Sequence, residues 1–394
     1  MRKVRSMSFG VYIHFPYCLS KCPYCDFASV AEGPEHDRYA RAIACELELR
    51  AEAFRGRTAR SLYVGGGTPS LWAPEAVASA VAAIRRHVSF APRQETETTL
   101  EANPGASDAA RFAELRAAGF DRISIGVQSF DDAVLARLGR EHSGREAVAA
   151  FEAARHAGFD NVALDLIHGC PGQDLATARS DAATAAGLGP EHLSCYALTL
   201  EHLAVDVPMA RAAREGRVAV PDEDQQWEMS QAISATLSEA GYRRYEISNW
   251  CRPGLEARHN RLYWTGGEYL GLGCGACGFA LADPAEPWKG GRRWGNHRAP
   301  ARYFADVEAG RLPEAWSEEL DAPTLLRELL AIGLRQVQGV DLGEACARLR
   351  MDPAPFLDAA QGLHARGLAL LSGAHVRLTE RGLDVHTTAV LPFV

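Results

Sequence analysis

From residue 11 to about residue 200, short apolar runs alternate with amphipathic stretches rich in alanine and arginine. A chain patterned this way can bury each run only as a strand with a helix returning over it, which calls for an α/β fold of parallel strands joined by crossover helices. The runs at 11–15, 61–64, 97–102, 122–127, 161–166 and 192–197 read as strands, and 37–54, 74–87 and 109–118 read as helices. Pro74 in a first helical turn, Ser107 as an N-cap, and Gly119 and Gly158 beyond helix ends supply the punctuation. Six such βα units could close part-way into a barrel or lie open as a doubly wound sheet, and periodicity does not choose between them. Polar or glycine-rich groups fall at the C-terminal end of strand after strand: the early cysteines, residues 65–68, Glu101, Gln128, Asp165 and Tyr196. Parallel α/β folds place their sites there.

Beyond about residue 210 the rhythm changes. Asp222 and Gln225 fit a capping box for a helix ending near Gly241, and a stretch rich in Gly and Trp follows in which irregular strands and loops are expected. From about residue 322 come helices, two short apolar runs at 368–371 and 376–378, and a last helix from Thr379, an order that suits a small winged-helix-like module. The chain therefore divides at 1–210, 211–321 and 322–394. With 42 basic against 50 acidic residues the formal charge is −8, which argues against a general nucleic-acid binder. The first residues, MRKVRSMSFGVYIHF, have a positive end but no apolar core of signal-peptide length, and no run approaches the roughly 20 apolar residues that span a bilayer. A cytoplasmic location is the expectation.

The ten cysteines are unevenly spread, and three of them lie in HFPYCLSKCPYCDF as C-x3-C-x2-C: Cys18, Cys22 and Cys25. In a reducing compartment such a group is more often metal-binding than disulfide-bonded. A structural zinc site wants four ligands and would need a distant fourth, such as His14 or Cys45. Three thiolates on a cubane iron-sulfur cluster instead leave one iron open to another molecule, and the spacing favours that arrangement.

This loop resembles that of radical S-adenosylmethionine (SAM) enzymes, in which the open iron chelates SAM and an electron from the reduced cluster cleaves it to a 5′-deoxyadenosyl radical. The segments YIHFPYC, CPYCDF, VGGGTPS, LEANPG, SIGVQSF, LGREH, LDLIHGCPGQ and HNRLYW are similar to those of the oxygen-independent coproporphyrinogen oxidase group, and within it to its heme chaperone branch. The resemblance covers nearly the whole chain. It implies a partial (β/α)6 radical SAM barrel with a C-terminal helical, winged-helix-like module, a 4Fe-4S cluster on Cys18, Cys22 and Cys25, and SAM bound to it. By the same resemblance Tyr12, Tyr24, Gly66, Gly67 and Thr68 touch SAM, Glu101 holds a SAM ribose through two acceptor oxygens, and Gln128, Arg140 and Asp165 line a second SAM position. A Gly-Gly-Gly-Thr-Pro turn after a strand suits such a role, since it lets backbone approach a ligand and aims N–H groups at it.

Two departures select the branch. The decarboxylating oxidase carries a further cysteine two residues after the third ligand, where this chain has Phe27; and HNRLYW at 259–264 resembles the HNxxYW signature of the chaperones. The branch implies binding of heme and its delivery to client proteins, an electron donor for the cluster, contact with membrane-bound clients and a homodimer, with no catalytic acid–base pair to assign. His259 is a candidate axial heme ligand, with Tyr263 and Trp264 packing on the macrocycle; the alternative is that His259 and Asn260 hydrogen-bond a loop while the aromatics belong to the core. Cys277, in a loop where the family usually has histidine, is a second thiol of interest, although a small buried loop cysteine explains it more simply, and His168 and Cys170 could face the substrate cavity or serve loop packing. The rival to a carrier is an enzyme that decarboxylates coproporphyrinogen III or acts as a related methyltransferase.

Overall fold

The computed structural model describes residues 8–105, 109–201, 203, 204 and 206–394, so the Ser107 cap lies outside the described residues. Six parallel strands form the centre of one large sheet: β1 (Ser8–Phe15), β2 (Thr58–Gly66, with the two-residue β3, Ser89–Phe90, at its side), β4 (Glu97–Ala102), β5 (Arg122–Gln128), β6 (Asn161–His168) and β7 (His192–Ala197). They lie in chain order, and the crossovers carry α1 (His36–Arg50), α2 (Pro74–His87), α3 (Ala109–Ala117), α4 (Asp132–Arg137), α5 (Gly144–His156) and α6 (Leu175–Leu188). Both faces of these strands are covered, which is why Ile123, Ile125 and Val127 point into the helix layer while Arg122, Ser124 and Gly126 alternate with them. Helix starts are fixed locally: Asp131 and Asp174 cap α4 and α6, and Ser143 with Glu146 forms a full capping box on α5.

The six-stranded arc is a partial (β/α)6 barrel whose two edges are extended rather than joined. After α7 (Pro208–Arg214) and α8 (Glu223–Glu239), which starts on the expected Asp222–Gln225 box, β8 (Arg243–Glu246) and β9 (Asn249–Cys251) add antiparallel to β7. On the other edge β10 (Tyr269–Leu272) runs parallel to β1, and β11 (Cys277–Leu281), β12 (Gly291–Asn296) and β13 (Glu314–Leu320) follow antiparallel, with α10 (Pro300–Glu308) before β13. The stretch expected to hold irregular strands and loops is in part regular: its strands join the main sheet, with a register shift in the β8–β9 pair and turns between the elements. Glycines on the strands (Gly271, Gly278, Gly291, Gly295) blur the period-two signal. HNRLYW is a helix, α9 (Arg258–Trp264), and its own N-cap, Ala257, offers no side-chain cap. The cap comes from 161 positions away in sequence, where the Glu97 carboxylate accepts the Arg258 and His259 backbone N–H groups at 3.0 Å each.

The C-terminal module runs α11 (Ala322–Gly333), β14 (Val340–Asp341), α12 (Leu342–Leu349), α13 (Ala354–Ala365), β15 (Ala369–Ser372), β16 (His375–Leu378), α14 (Glu380–Asp384) and α15 (His386–Val390), a winged-helix-like order around its own core of Leu326, Leu330, Leu342, Leu363, Val376 and Phe393. Among the described residues no helix is long and apolar enough to cross a membrane.

The β10–β13 extension is pinned to the barrel by one buried carboxylate. Glu46 on α1 has no exposed surface and accepts from Arg50 Nε at 2.8 Å, Gly273 N at 2.8 Å, Asn296 Nδ2 at 2.7 Å and the Tyr303 hydroxyl at 3.0 Å. Every lone-pair direction is used, so the cost of burying the charge is met by four donors, from α1 itself, the turn after β10, β12 and α10. Glu46→Ala should lower unfolding free energy by about 3–5 kcal/mol in urea titrations, whereas Arg60→Ala, which removes an exposed pair with Glu95, should cost less than about 1 kcal/mol.

Candidate functional site

The cysteine loop leaves β1 at Phe15 and is closed on itself by two backbone bonds, Cys18 N to Val30 O at 3.0 Å and Val30 N to Pro16 O at 2.8 Å. Its base is joined to the glycine turn after β2: Gly67 N donates to Phe15 O at 2.7 Å and Thr68 N to Tyr17 O at 2.8 Å. The approach is so close that a Cβ on Gly67 would stand 2.6 Å from Tyr17 O, and one on Gly66, whose φ is +115°, would stand 2.6 Å from the His14 ring. His14, the distant fourth ligand of the zinc alternative, is committed elsewhere. Its Nε2 pairs with Ala28 O at 2.9 Å and its Nδ1 with the Tyr12 hydroxyl at 3.0 Å, and burial lowers it to about 4. The far side of the loop rests on Met209 N, which donates to Pro23 O at 2.8 Å.

Cys18, Cys22 and Cys25 are half-buried on the rim of a cavity of about 760 Å³ that enters the barrel from the C-terminal ends of its strands. Tyr24, Gly66, Gly67, Thr68, Glu101, Gln128, Arg140 and Asp165, all marked by the resemblance, stand on its wall with them. Tyr12 does not: it is half-buried behind that wall, its ring 6.1 Å from Tyr63. Burial raises Cys18 and Cys25 above the ordinary thiol value, so a metal that takes them as thiolates releases protons on binding. Among the described residues no three His, Cys, Asp or Glu groups converge on a single ion. A cubane asks for a different arrangement, one thiolate for each of three irons.

The acids face the same space. Glu101 accepts the Tyr63 hydroxyl on Oε1 at 2.7 Å and Gly66 N on Oε2 at 3.0 Å, and burial raises it to about 7. Asp165 accepts Ser124 Oγ at 3.0 Å and is likewise raised by burial. Gln128 has φ +69° where the β5–β6 register shifts, a left-handed backbone at a non-glycine residue that marks a strained position on the cavity wall. Arg140 binds Gly126 O at 2.8 Å and approaches Cys22 Sγ at 3.7 Å, while its Nε is buried without a partner. Two acids suit a cationic ligand such as a sulfonium, and the glycine cradle and the unpaired Arg140 donor suit its carboxylate, so the residues present fit a cluster with SAM.

The assignment of His259 as a heme ligand is corrected by the structure. The ring is buried, Nδ1 pairs with Ser61 Oγ at 2.8 Å, Nε2 pairs with the Tyr263 hydroxyl at 2.9 Å, and burial lowers it to about 3. With both nitrogens engaged behind Tyr12 and Tyr63, His259 is a neutral buttress of the barrel floor, bonded to a strand and to its own helix where the alternative reading expected a loop, and only its neighbour Asn260 reaches the cavity. Trp264 lies under the Arg335 guanidinium, 4.7 Å from its ring centre, instead of facing a ligand. Cys277 is exposed and Cys274 buried, His168 and Cys170 are buried off the cavity wall, and Phe27 stands exposed at the mouth. Sequence reasoning missed Asn103, Arg122, Ser124, His192 and Ser194, which also line the cavity. A polar residue or glycine at every second position of β5 was a signal for two of them.

Glu101 gives a pH test in the absence of ligand. Its folded value, about 7, lies above the ordinary 4.5, so between those values the folded protein holds a proton that the unfolded chain has released. Stability should therefore fall as pH rises from 4.5 to 7, by up to about 3 kcal/mol from this group. In Glu101→Gln that component should vanish, leaving a flatter profile of denaturation midpoint against pH.

Family models match two parts of the chain: the radical SAM superfamily at residues 12–183 and the HemN C-terminal domain at residues 320–385. The chain is 42% identical over 381 residues to the heme chaperone HemW of Mycobacterium tuberculosis (strain H37Rv), covering 95% of this chain and 92% of that protein. It is 32% identical over 378 residues to the HemW of Bacillus subtilis (strain 168), covering 95% and 96%. It is 41% identical over 271 residues to that of Escherichia coli (strain K12), covering 68% and 69%. Among solved structures, coproporphyrinogen III oxidase (HemN) from Escherichia coli superposes with a TM-score of 0.81 over 100% of this chain and 91% of that one, at 22% identity, a likeness of fold. At these identities and coverages the chain belongs to the HemW family of radical SAM proteins.

Proposed function

We propose that this protein is a cytosolic heme chaperone that binds heme and passes it intact to client proteins, with a 4Fe-4S cluster and SAM held at the barrel mouth. The observation that carries the reading is the rim itself, where three thiols share a cavity with Glu101, Asp165 and Arg140 and Phe27 stands two residues past Cys25. The relatives that cover nearly the whole chain are named heme chaperones, which supports the same reading. Residues 1–210 form the cluster- and SAM-binding barrel in this proposal, 211–321 extend its sheet, and 322–394 are a separate module available to partners.

Cys18, Cys22 and Cys25 would each hold one iron and leave the fourth open, and a cluster so bound would supply an electron for SAM cleavage. The chain's own part is positioning. Gly66 and Gly67 admit the ligand's backbone-like end, Glu101 takes hydroxyl hydrogens, and Gln128, Arg140 and Asp165 offer further donors and acceptors on the cavity wall. Glu101, raised to about 7 by burial, becomes a carboxylate beside a cation, so SAM binding should release protons near neutral pH.

Replacing Cys18, Cys22 or Cys25 with alanine should abolish the visible absorbance of the anaerobically reconstituted cluster, and an unchanged spectrum in all three variants would overturn the metal assignment. The carrier reading is tested by titrating heme into the reconstituted protein and following the Soret band. A saturable, stoichiometric band is expected, and His259→Ala should keep that stoichiometry while losing about 2 kcal/mol or more of fold stability through two broken buried hydrogen bonds. Absence of a specific band, with 5′-deoxyadenosine released alongside a modified substrate, would replace the carrier with an enzyme.

A further inference from the structure

Asn103 stands just past the C-terminal end of β4, two residues after Glu101, and its amide lies between the two groups that reach cysteine sulfurs. Arg140 Nη2 donates to Asn103 Oδ1 at 2.8 Å. A guanidinium can only donate, so this contact decides which end of the amide is oxygen. The other end, Nδ2, then donates to Thr68 Oγ1 at 3.0 Å. A hydroxyl that accepts an N–H keeps its own proton for another partner, and Thr68 Oγ1 lies 3.6 Å from Cys18 Sγ. At the opposite end Arg140 Nη1 lies 3.7 Å from Cys22 Sγ. The donations run outward from Arg140, one way through Asn103 and Thr68 to Cys18 and the other way directly to Cys22, so a donor is aimed at a sulfur at both ends. Room for it depends on Gly126, where a Cβ would stand 2.9 Å from Asn103 Oδ1.

We propose that Asn103 is a positioning residue for the cluster: it fixes Thr68 and Arg140 as hydrogen-bond donors to the sulfurs of Cys18 and Cys22 and thereby holds the cluster's reduction potential up. Reduction adds negative charge that the ligating thiolates share, and an O–H or N–H aimed at sulfur stabilises the more negative state. Asn103 touches neither sulfur and acts only through its two partners. The inference rests on Cys18, Cys22 and Cys25 being cluster ligands.

The test is a redox titration of the full-length protein, reconstituted anaerobically with iron and sulfide and kept free of SAM, followed by the paramagnetic resonance signal of the reduced cluster. Asn103→Ala and Thr68→Val should both shift the midpoint to more negative potential, and Thr68→Ser, which keeps the hydroxyl, should restore the wild-type value. The double variant Asn103→Ala with Thr68→Val should lie no lower than Asn103→Ala alone, because the threonine contact is already lost there. Asn103→Ser serves if the alanine variant fails to fold by circular dichroism. An unchanged midpoint in the Asn103 variant at full iron content, additive shifts in the double variant, or a folded variant that takes up no iron would overturn the inference and leave the cluster in place. Wild-type protein without bound iron and sulfide would overturn both.

Discussion

Two backbone hydrogen bonds hold this site together, from Gly67 N to Phe15 O and from Thr68 N to Tyr17 O. Each is worth only about 1 kcal/mol in the usual exchange with water, but their effect is geometric. They attach the cysteine loop to the turn that follows the neighbouring strand, so the three sulfurs keep a fixed relation to every side chain carried by β2 and β4. The glycines that look like a ligand cradle are required for this junction first, because a side chain at Gly67 would collide with backbone that cannot swing away. Ligand access and loop attachment are two uses of one missing Cβ.

Six parallel strands do not close a barrel, and the unpaired edges have to be met in another way. Here β10 continues from β1 and β9 from β7, which leaves the interior open at the strand ends that carry the cysteines. The floor is filled by α9, whose N-terminal amides are satisfied by Glu97 and whose His259 is held by Ser61 and Tyr263. The C-terminal module is tied to the same scaffold through charge. Arg335 reaches the fully buried Glu246, and Arg293 on β12 pairs with Glu328 on α11. A module secured at those points is placed with respect to the sheet extension and not to the cavity mouth.

The barrel strands were legible because their burial is written locally, as apolar runs of the right length, and the cysteine loop was legible because three thiols at that spacing have few other uses. Two features were not. HNRLYW carries no local helix start, since its cap is supplied by Glu97 after folding, and the same absence made its histidine look free. Residue type tells what His259 can bind; only the fold tells that Ser61 and Tyr263 have already taken both nitrogens. Asn103 was present in the LEANPG segment but gave no signal of its own, because its value comes from lying between Thr68 and Arg140, which the segments after β2, β4 and α4 bring together.

The cavity couples its polar groups so closely that binding and folding cannot be altered independently at every position. Gly66 N donates to Glu101, and the same glycine rests on His14, whose other contacts hold Ala28 at the end of the cysteine loop. A side chain at Gly66 would therefore disturb carboxylate and loop together, and a lost cluster in such a variant would say nothing about SAM. Glu101 differs, because an amide in its place keeps one acceptor for Tyr63 and leaves the His14 contact untouched. Physical separation of the two roles thus lies in the side-chain oxygens facing the cavity, while the glycines and His14 behind them belong to the frame that gives those oxygens their position.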